Sequence, residues 1–162
     1  MRAVGMTEAD LDAVLAVQAA CYPPAMQEAA DVVRARLRAS PDTVLVARDA
    51  AGVCAYLFAY RSRLGKVTPL GGHFALPDAP DTLYLHDLAV APRAAGQGVA
   101  RRLVEAMLVR AGGLRHSALV SVQDTRRFWE SLGYLPAAGD PAALATYPDD
   151  ALYMARRLSA RG

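Results

Sequence analysis

One stretch of this sequence constrains the fold more than any other: Leu83-Tyr-Leu-His-Asp-Leu-Ala-Val90, then Pro92, then Arg93-Ala-Ala-Gly96-Gln97-Gly98-Val99-Ala100. The first run is apolar and rich in β-formers, and Pro92 forbids its simple continuation as a paired strand. From Val99 to Ala111 apolar residues recur at helical spacing. The pattern therefore predicts a strand, a glycine-rich turn and a helix in immediate succession. Such a turn leaves several backbone N–H groups pointing one way at the positive end of the helix dipole, which suits a pyrophosphate.

Two common phosphate binders fail on their defining residues. A Walker A loop needs Lys and Ser/Thr after its last glycine, where this chain has Val99 and Ala100. A dinucleotide fingerprint needs a third glycine where Arg101 stands. What remains, R-x-x-G-x-G-x-A after Leu-Ala-Val-x-Pro, resembles the signature loop of the GNAT superfamily of N-acetyltransferases. Two further matches extend the resemblance over roughly residues 40 to 136. Leu114-Arg-His-Ser-Ala-Leu-Val-Ser-Val122 reads as the following strand. Phe128-Trp129-Glu-Ser-Leu132-Gly133-Tyr134 reads as the short helix with a Leu-Gly-aromatic ending, Gly133 being a natural helix stop.

The resemblance implies an α/β fold with a central mixed sheet flanked by helices, whose two parallel strands splay to admit acetyl-CoA. It implies that the backbone of Leu88, Ala89 and Val90 pairs with the pantetheine arm. The amides from Ala95 through Gly96, Gln97, Gly98 and Val99 to Ala100 would hold the pyrophosphate, with Arg93 adding charge at the rim. Gln123 stands near a family asparagine that contacts the coenzyme, and Phe128 and Trp129 either touch it or pack the helix. Where relatives often carry a tyrosine near the sulfur, this chain has Trp129, and an indole cannot deliver a proton to a thiolate. Tyr84, Tyr134, Ser121 or water is then left as the acid.

Tyr84-Leu-His86-Asp-Leu-Ala-Val90 is similar to a His-Leu-His-x-Leu-Ala-Val run of the serotonin (arylalkylamine) N-acetyltransferases, with Tyr84 in place of the first histidine. Strand alternation puts Tyr84, His86 and Leu88 on one face and Leu85, Asp87 and Ala89 on the other. Imidazole can take a proton near neutral pH, directly or through water, which makes His86 the candidate base and Tyr84 its neighbour. The alternative for His86 is a hydrogen-bonded strand histidine. Asp87 reads as structural. For the acceptor amine, Tyr22 and Met26 between the first two helices and His73 in the long loop are the candidate contacts. The apolar character of these segments favours a small aryl or alkyl amine over a polycation, with peptide termini and lysines as the other acceptors.

Around this centre the rest of the chain reads simply. At 162 residues a single N-acetyltransferase domain, 1–162, is expected. Thr7-Glu-Ala-Asp10 opens a first helix that Tyr22-Pro23-Pro24 breaks. A second helix runs over about 28–38, and 43–47 and 53–60 form a hairpin. Residues 62–81, rich in Gly and Pro, read as a long loop, and 152–158 as a closing strand. Cys21 and Cys54 have no metal-ligand spacing, so no metal is expected and a reducing cytoplasm is. With 18 Lys and Arg against 16 Asp and Glu, the net charge of +2 is too slight to argue nucleic acid. No apolar run reaches the length of a membrane span, and no signal peptide is expected. Abundant Ala and Arg point to a bacterial source. The expected reaction is direct acetyl transfer from acetyl-CoA to a primary amine in a ternary complex, by a monomer or homodimer. The alternative is an acyl-CoA-binding sensor of the same fold with its chemistry lost.

Overall fold

The computed structural model describes residues 1–158. Among them the strands are β1 (Arg2–Gly5), β2 (Val44–Asp49), β3 (Gly52–Ser62), β4 (Thr82–Val90), β5 (His116–Ser121), β6 (Leu135–Pro136) and β7 (Leu152–Arg157). The helices are α1 (Leu11–Cys21), α2 (Ala30–Ala39), α3 (Val99–Arg110), α4 (Arg126–Ser131) and α5 (Pro141–Leu144). The seven strands form one mixed sheet in the order β1-β2-β3-β4-β5-β7-β6. β4 and β5 run parallel, Thr82–Leu85 against His116–Leu119, while β1–β2, β2–β3, β5–β7 and β6–β7 are antiparallel.

The chain divides into two compact units, Met1–Ala59 with Asp87–Ala111, and Tyr60–His86 with the chain from Gly112 on. In the first, the β2–β3 hairpin turns at Ala50 and Ala51, and β1 pairs along β2 from Arg2↔Arg48 to Gly5↔Leu45. Cys54 to Ala59 are each at most 2 % exposed, so both faces of β3 are covered; that is why the run carries no polar alternation. α3 packs on β1 and β2 through Val99, Leu103, Val104 and Met107, which recur at helical spacing and are all buried. Thr7 begins the chain's entry to α1: its N–H donates to Asp10 Oδ2 at 2.9 Å, and Arg48 closes on Asp10 Oδ1 at 2.6 Å. Burial alone would raise the Asp10 carboxyl, but the Thr7 amide and Arg48 together outweigh it and hold it below the ordinary carboxylate range.

α2 starts two residues later than its apolar pattern implies, because Glu28 is used before it. The Glu28 carboxylate accepts two hydrogen bonds from the Arg36 guanidinium, each at 2.5 Å, and both side chains are almost completely buried. The Glu28 backbone is also gripped by the Gln18 amide, which donates to its carbonyl and accepts from its N–H, both at 3.0 Å. The segment between α1 and α2 is thereby fixed at its far end.

In the second unit, β5 and β7 pair from His116↔Arg157 to Ser121↔Leu152, and β6 adds a two-residue edge on β7. The long connection between β3 and β4 is pinned by this unit's own residues. Tyr153 accepts from the Gly65 N–H at 2.8 Å, Tyr147 donates to the Thr68 carbonyl at 2.7 Å, and Thr146 accepts from the Leu70 N–H at 3.0 Å. Tyr60 and Thr68 also share a hydroxyl–hydroxyl bond.

Removing one partner of a buried, bidentate pair strands the other charge, so Arg36→Met is expected to lower stability by ~3–5 kcal/mol. Urea denaturation should show this, and the double variant Glu28→Leu/Arg36→Met should regain a large part of it.

Candidate active site

β4 ends at Val90 and is followed by a tight turn, Pro92–Ala94, before α3 begins. Inside it the Ala94 N–H donates to Ala91 O at 2.9 Å and the Ala95 N–H to Pro92 O at 3.2 Å. The Ala95 amide, expected among the anion donors, is therefore engaged within the turn itself. Gly96 and Gly98 both sit at φ +75°, and Gly98 is the N-cap of α3. An L-residue held in that left-handed region costs about 1–2 kcal/mol, which explains two glycines here independently of any ligand. A Cβ at either position would meet no atom within 4 Å, so the space beside the turn is open. The first turn of α3 carries no acidic side chain to compete for an anion. A phosphate-sized group fits this arrangement: open space, a helix N-terminus and left-handed glycines that turn amides outward.

Arg93 is placed differently from the sequence expectation. Its Nε donates to Asp49 Oδ2 at 3.0 Å and its Nη2 to Asp49 Oδ1 at 3.3 Å and Val53 O at 2.9 Å. The side chain therefore braces the turn against the β2–β3 hairpin rather than standing free at the rim. Gln97 reaches back to Arg93 O at 3.4 Å. A groove of about 530 Å³ lies beside this brace, lined by small residues of α1 together with Arg48, Arg93 and Asp10.

On the last residues of β4, two groups from the end of α1 meet the backbone that the sequence singled out. The Tyr22 hydroxyl lies 3.0 Å from both Asp87 Oδ1 and Leu88 O, and Cys21 Sγ donates to Val90 O at 3.1 Å. Ala89, between them, is buried. Tyr56 from β3 donates to Asp87 Oδ2 at 2.9 Å, so each carboxylate oxygen of Asp87 receives a phenol. Burial, then the nearby Asp87 charge, pushes the Tyr22 and Tyr56 phenols well above their usual value. The sequence reads Asp87 as structural, and no local pattern in it signals Tyr56 as a partner. Met26 sits half-buried in the turn Pro24–Met26.

In the second unit, His86 is half-buried and its Nδ1 is buried. Tyr84 lies along the same face with ring centroids 6.1 Å apart. Phe74 meets the imidazole edge-on at 5.5 Å and stacks on Tyr60 at 4.1 Å. His73 points outward; its neighbour Phe74 is the residue that turns in, a distinction that a loop without periodicity cannot signal. Each side-chain acid suggested by the sequence has another engagement. Tyr134 donates to Ser117 Oγ at 2.8 Å, which donates in turn to Leu83 O at 3.0 Å. Ser121 bonds Thr125 at 3.0 Å, and the Tyr84 phenol is buried beside the Thr68 backbone. Trp129 is buried, stacked on Phe128 at 4.9 Å and edge-on to Tyr134 at 5.6 Å. Gln123 is exposed, with Asp124, on a turn of positive φ.

Comparison with known proteins adds a family and a fold. Residues 11–134 match the family model described as the acetyltransferase (GNAT) family. An L-2,4-diaminobutyric acid acetyltransferase of Chromohalobacter salexigens is 37% identical over 67 residues, 40% of this chain. The matched part spans only 35% of that curated relative. Among solved structures, the GphF GNAT-like decarboxylase in complex with isobutyryl-CoA has a TM-score of 0.83 at 17% identity, covering 98% of this chain and 100% of its own. The ribosomal-protein-S18-alanine N-acetyltransferase from Escherichia coli has a TM-score of 0.71 at 17% identity, covering 99% and 96%. At such identities these structures establish the fold. No helix among the described residues is long and apolar enough to cross a membrane.

The buried phenols make a pH prediction. Tyr22, Tyr56 and Tyr84 are all raised by burial, with like charges adding to it, so folding favours their neutral forms. Their contribution to stability is complete below the ordinary phenol pKa of about 10 and is lost as pH rises beyond it. Ultraviolet titration should find these tyrosines silent until alkaline unfolding begins. Phenolate absorbance from them in the folded protein would contradict the geometry.

Proposed function

This chain belongs to the acetyltransferase (GNAT) family, and we propose that it transfers an acetyl group from acetyl-CoA to a small primary amine by direct attack. The observation that carries this reading is the open, glycine-conformed turn at the head of α3, directly after β4. The amides from Gly96 to Ala100 hold the pyrophosphate, and the backbone of Leu88 to Val90 takes the pantetheine arm. Arg93 stiffens the turn through Asp49 and contributes charge from behind it. Gln123, Phe128 and Trp129 are the candidate coenzyme contacts of the second unit, and residues 1–162 are read as a single N-acetyltransferase domain. Acetyl-CoA supplies an activated thioester.

His86 Nε2 removes the proton from the acceptor's ammonium, directly or through water, and the freed amine attacks the thioester carbonyl. The C–N bond forms, the C–S bond breaks, and the thiolate leaves. With Tyr134 and Ser121 engaged elsewhere and Tyr84 enclosed, the weakly basic thiolate leaves without a side-chain acid, and the second proton, shed by the nitrogen as it becomes an amide, reaches it through water. The candidate acceptor contacts are Tyr22 and Met26 in the first unit and His73 in the second. A primary amine is supported by the diaminobutyrate acetyltransferase among the relatives, whose acceptor carries two of them.

The same lack of a free side-chain acid favours a second reading, an acyl-CoA sensor without turnover. Thiol release from acetyl-CoA over a panel of amines, amino acids and peptides separates the two. Under the transferase reading, Gly98→Asp raises the acetyl-CoA KM at least tenfold by placing an anion at the phosphate site. His86→Ala lowers kcat by ~10²–10⁴ with that KM unchanged. Binding with no turnover on any amine would favour the sensor, and loss of CO2 from a carboxylated acyl-CoA would move the reading toward the decarboxylase it resembles.

A further inference from the structure

The groove of about 530 Å³ beside the Arg93 brace lies wholly within the first unit, and acetyl transfer assigns it no occupant. Its volume is that of a small-molecule site, ~300–1,000 Å³. One wall is a flank of α1, where Ala13, Ala16 and Ala20 follow one another at helical spacing and carry nothing longer than a methyl. Val53 and Pro92 add apolar surface from the hairpin and from the turn. The charged groups at the groove are paired so that only donors are left over. Arg48 gives Nη2 to Asp10 Oδ1 at 2.6 Å, and Thr7 fills Oδ2 with its N–H and its hydroxyl. Arg93 gives Nε and Nη2 to Asp49, whose Oδ1 also accepts from the Ala51 N–H at 2.8 Å. Every oxygen of the two carboxylates thus has a donor. Among the described residues, Nε and Nη1 of Arg48 and Nη1 of Arg93 have no acceptor. The two side chains are 44 % and 45 % exposed, which leaves these N–H groups within reach of a ligand.

We propose that this groove binds a small organic carboxylate, held at its charged end by the guanidiniums of Arg48 and Arg93, with a short apolar body against the alanine flank of α1. The edge of a guanidinium matches a carboxylate in geometry as well as in charge. An ammonium would have to displace the donors already seated on Asp10 and Asp49, so a cation is disfavoured. A neutral molecule of the same shape forgoes the charge-assisted hydrogen bonds, and a carboxylate without a body forgoes burial against the methyls. The inference goes beyond the transferase reading and does not rest on it, because the amides from Gly96 to Ala100 take no part in the groove.

The test is calorimetric titration of the full chain, without coenzyme, with hexanoate, hexanol, hexylamine and acetate. Hexanoate saturates a single site and binds at least tenfold more tightly than any of the other three. Ala16→Phe, at an exposed position on the groove, fills the space and weakens hexanoate at least tenfold. Arg48→Gln weakens it as much from the polar end. Ala19→Phe, also exposed on α1 but outside the lining, leaves the affinity within twofold. Thermal denaturation of each variant checks the fold, since Arg48 also holds Asp10, and Ala16→Phe preserves the test if Arg48→Gln unfolds. No saturable binding of hexanoate, an equal affinity for hexanol or hexylamine, or an affinity that Ala16→Phe leaves within twofold would overturn the proposal. None of these results bears on acetyl transfer, which is read separately by thiol release.

Discussion

The passage from β4 into α3 depends on two residues held at φ +75°, and the proposed chemistry is built outward from that requirement. A side chain at 96 or 98 would not collide with anything, since the space is open; it would instead force an L-residue into a left-handed backbone. The turn is then stiffened from behind by Arg93 on Asp49 and Val53, so the α3 N-terminus is presented by a braced loop. An anion site of backbone amides works only if the amides are already in place, because reorganising them on binding would spend the affinity they provide. The hairpin brace gives that preorganisation a structural source.

β4 serves two environments through simple alternation. Asp87 receives the phenols of Tyr22 and Tyr56, a closed arrangement in which the carboxylate is satisfied and both tyrosines stay neutral. His86, one residue earlier, is surrounded by rings instead: Tyr84 along the strand and Phe74 from the loop. A carboxylate with two donors stabilises and positions. The imidazole instead meets rings, edge-on at Phe74 and tilted at Tyr84. The period of two in a strand allows adjacent residues to be so different, and a slip of one register would exchange their surroundings.

Much of this could be read in advance because the signals were local. The strand, the glycine turn, α3 and the hairpin each follow from spacing or turn chemistry within a dozen residues, and the structure has each where the pattern puts it. β1 escaped notice because Arg2–Gly5 has no pattern of its own and becomes a strand by pairing with β2. β6 is two residues on the edge of β7, too short for any period. The late start of α2 comes from the Glu28–Arg36 pair, a contact that propensity does not encode. At the candidate site the same division holds. Glycines 96 and 98 were legible. The Arg93 brace, the Asp87 phenols and the inward turn of Phe74 in place of His73 were not, since each depends on a partner distant in sequence.

Backbone binding of the coenzyme pyrophosphate at this turn can be followed through assigned amide resonances during titration with coenzyme A. The largest shifts are expected on Gly96 to Ala100, with a second group at Leu88 to Val90 and little change at Ala95, whose N–H already serves the turn. Saturable binding that leaves the Gly96 to Ala100 amides unmoved would contradict it.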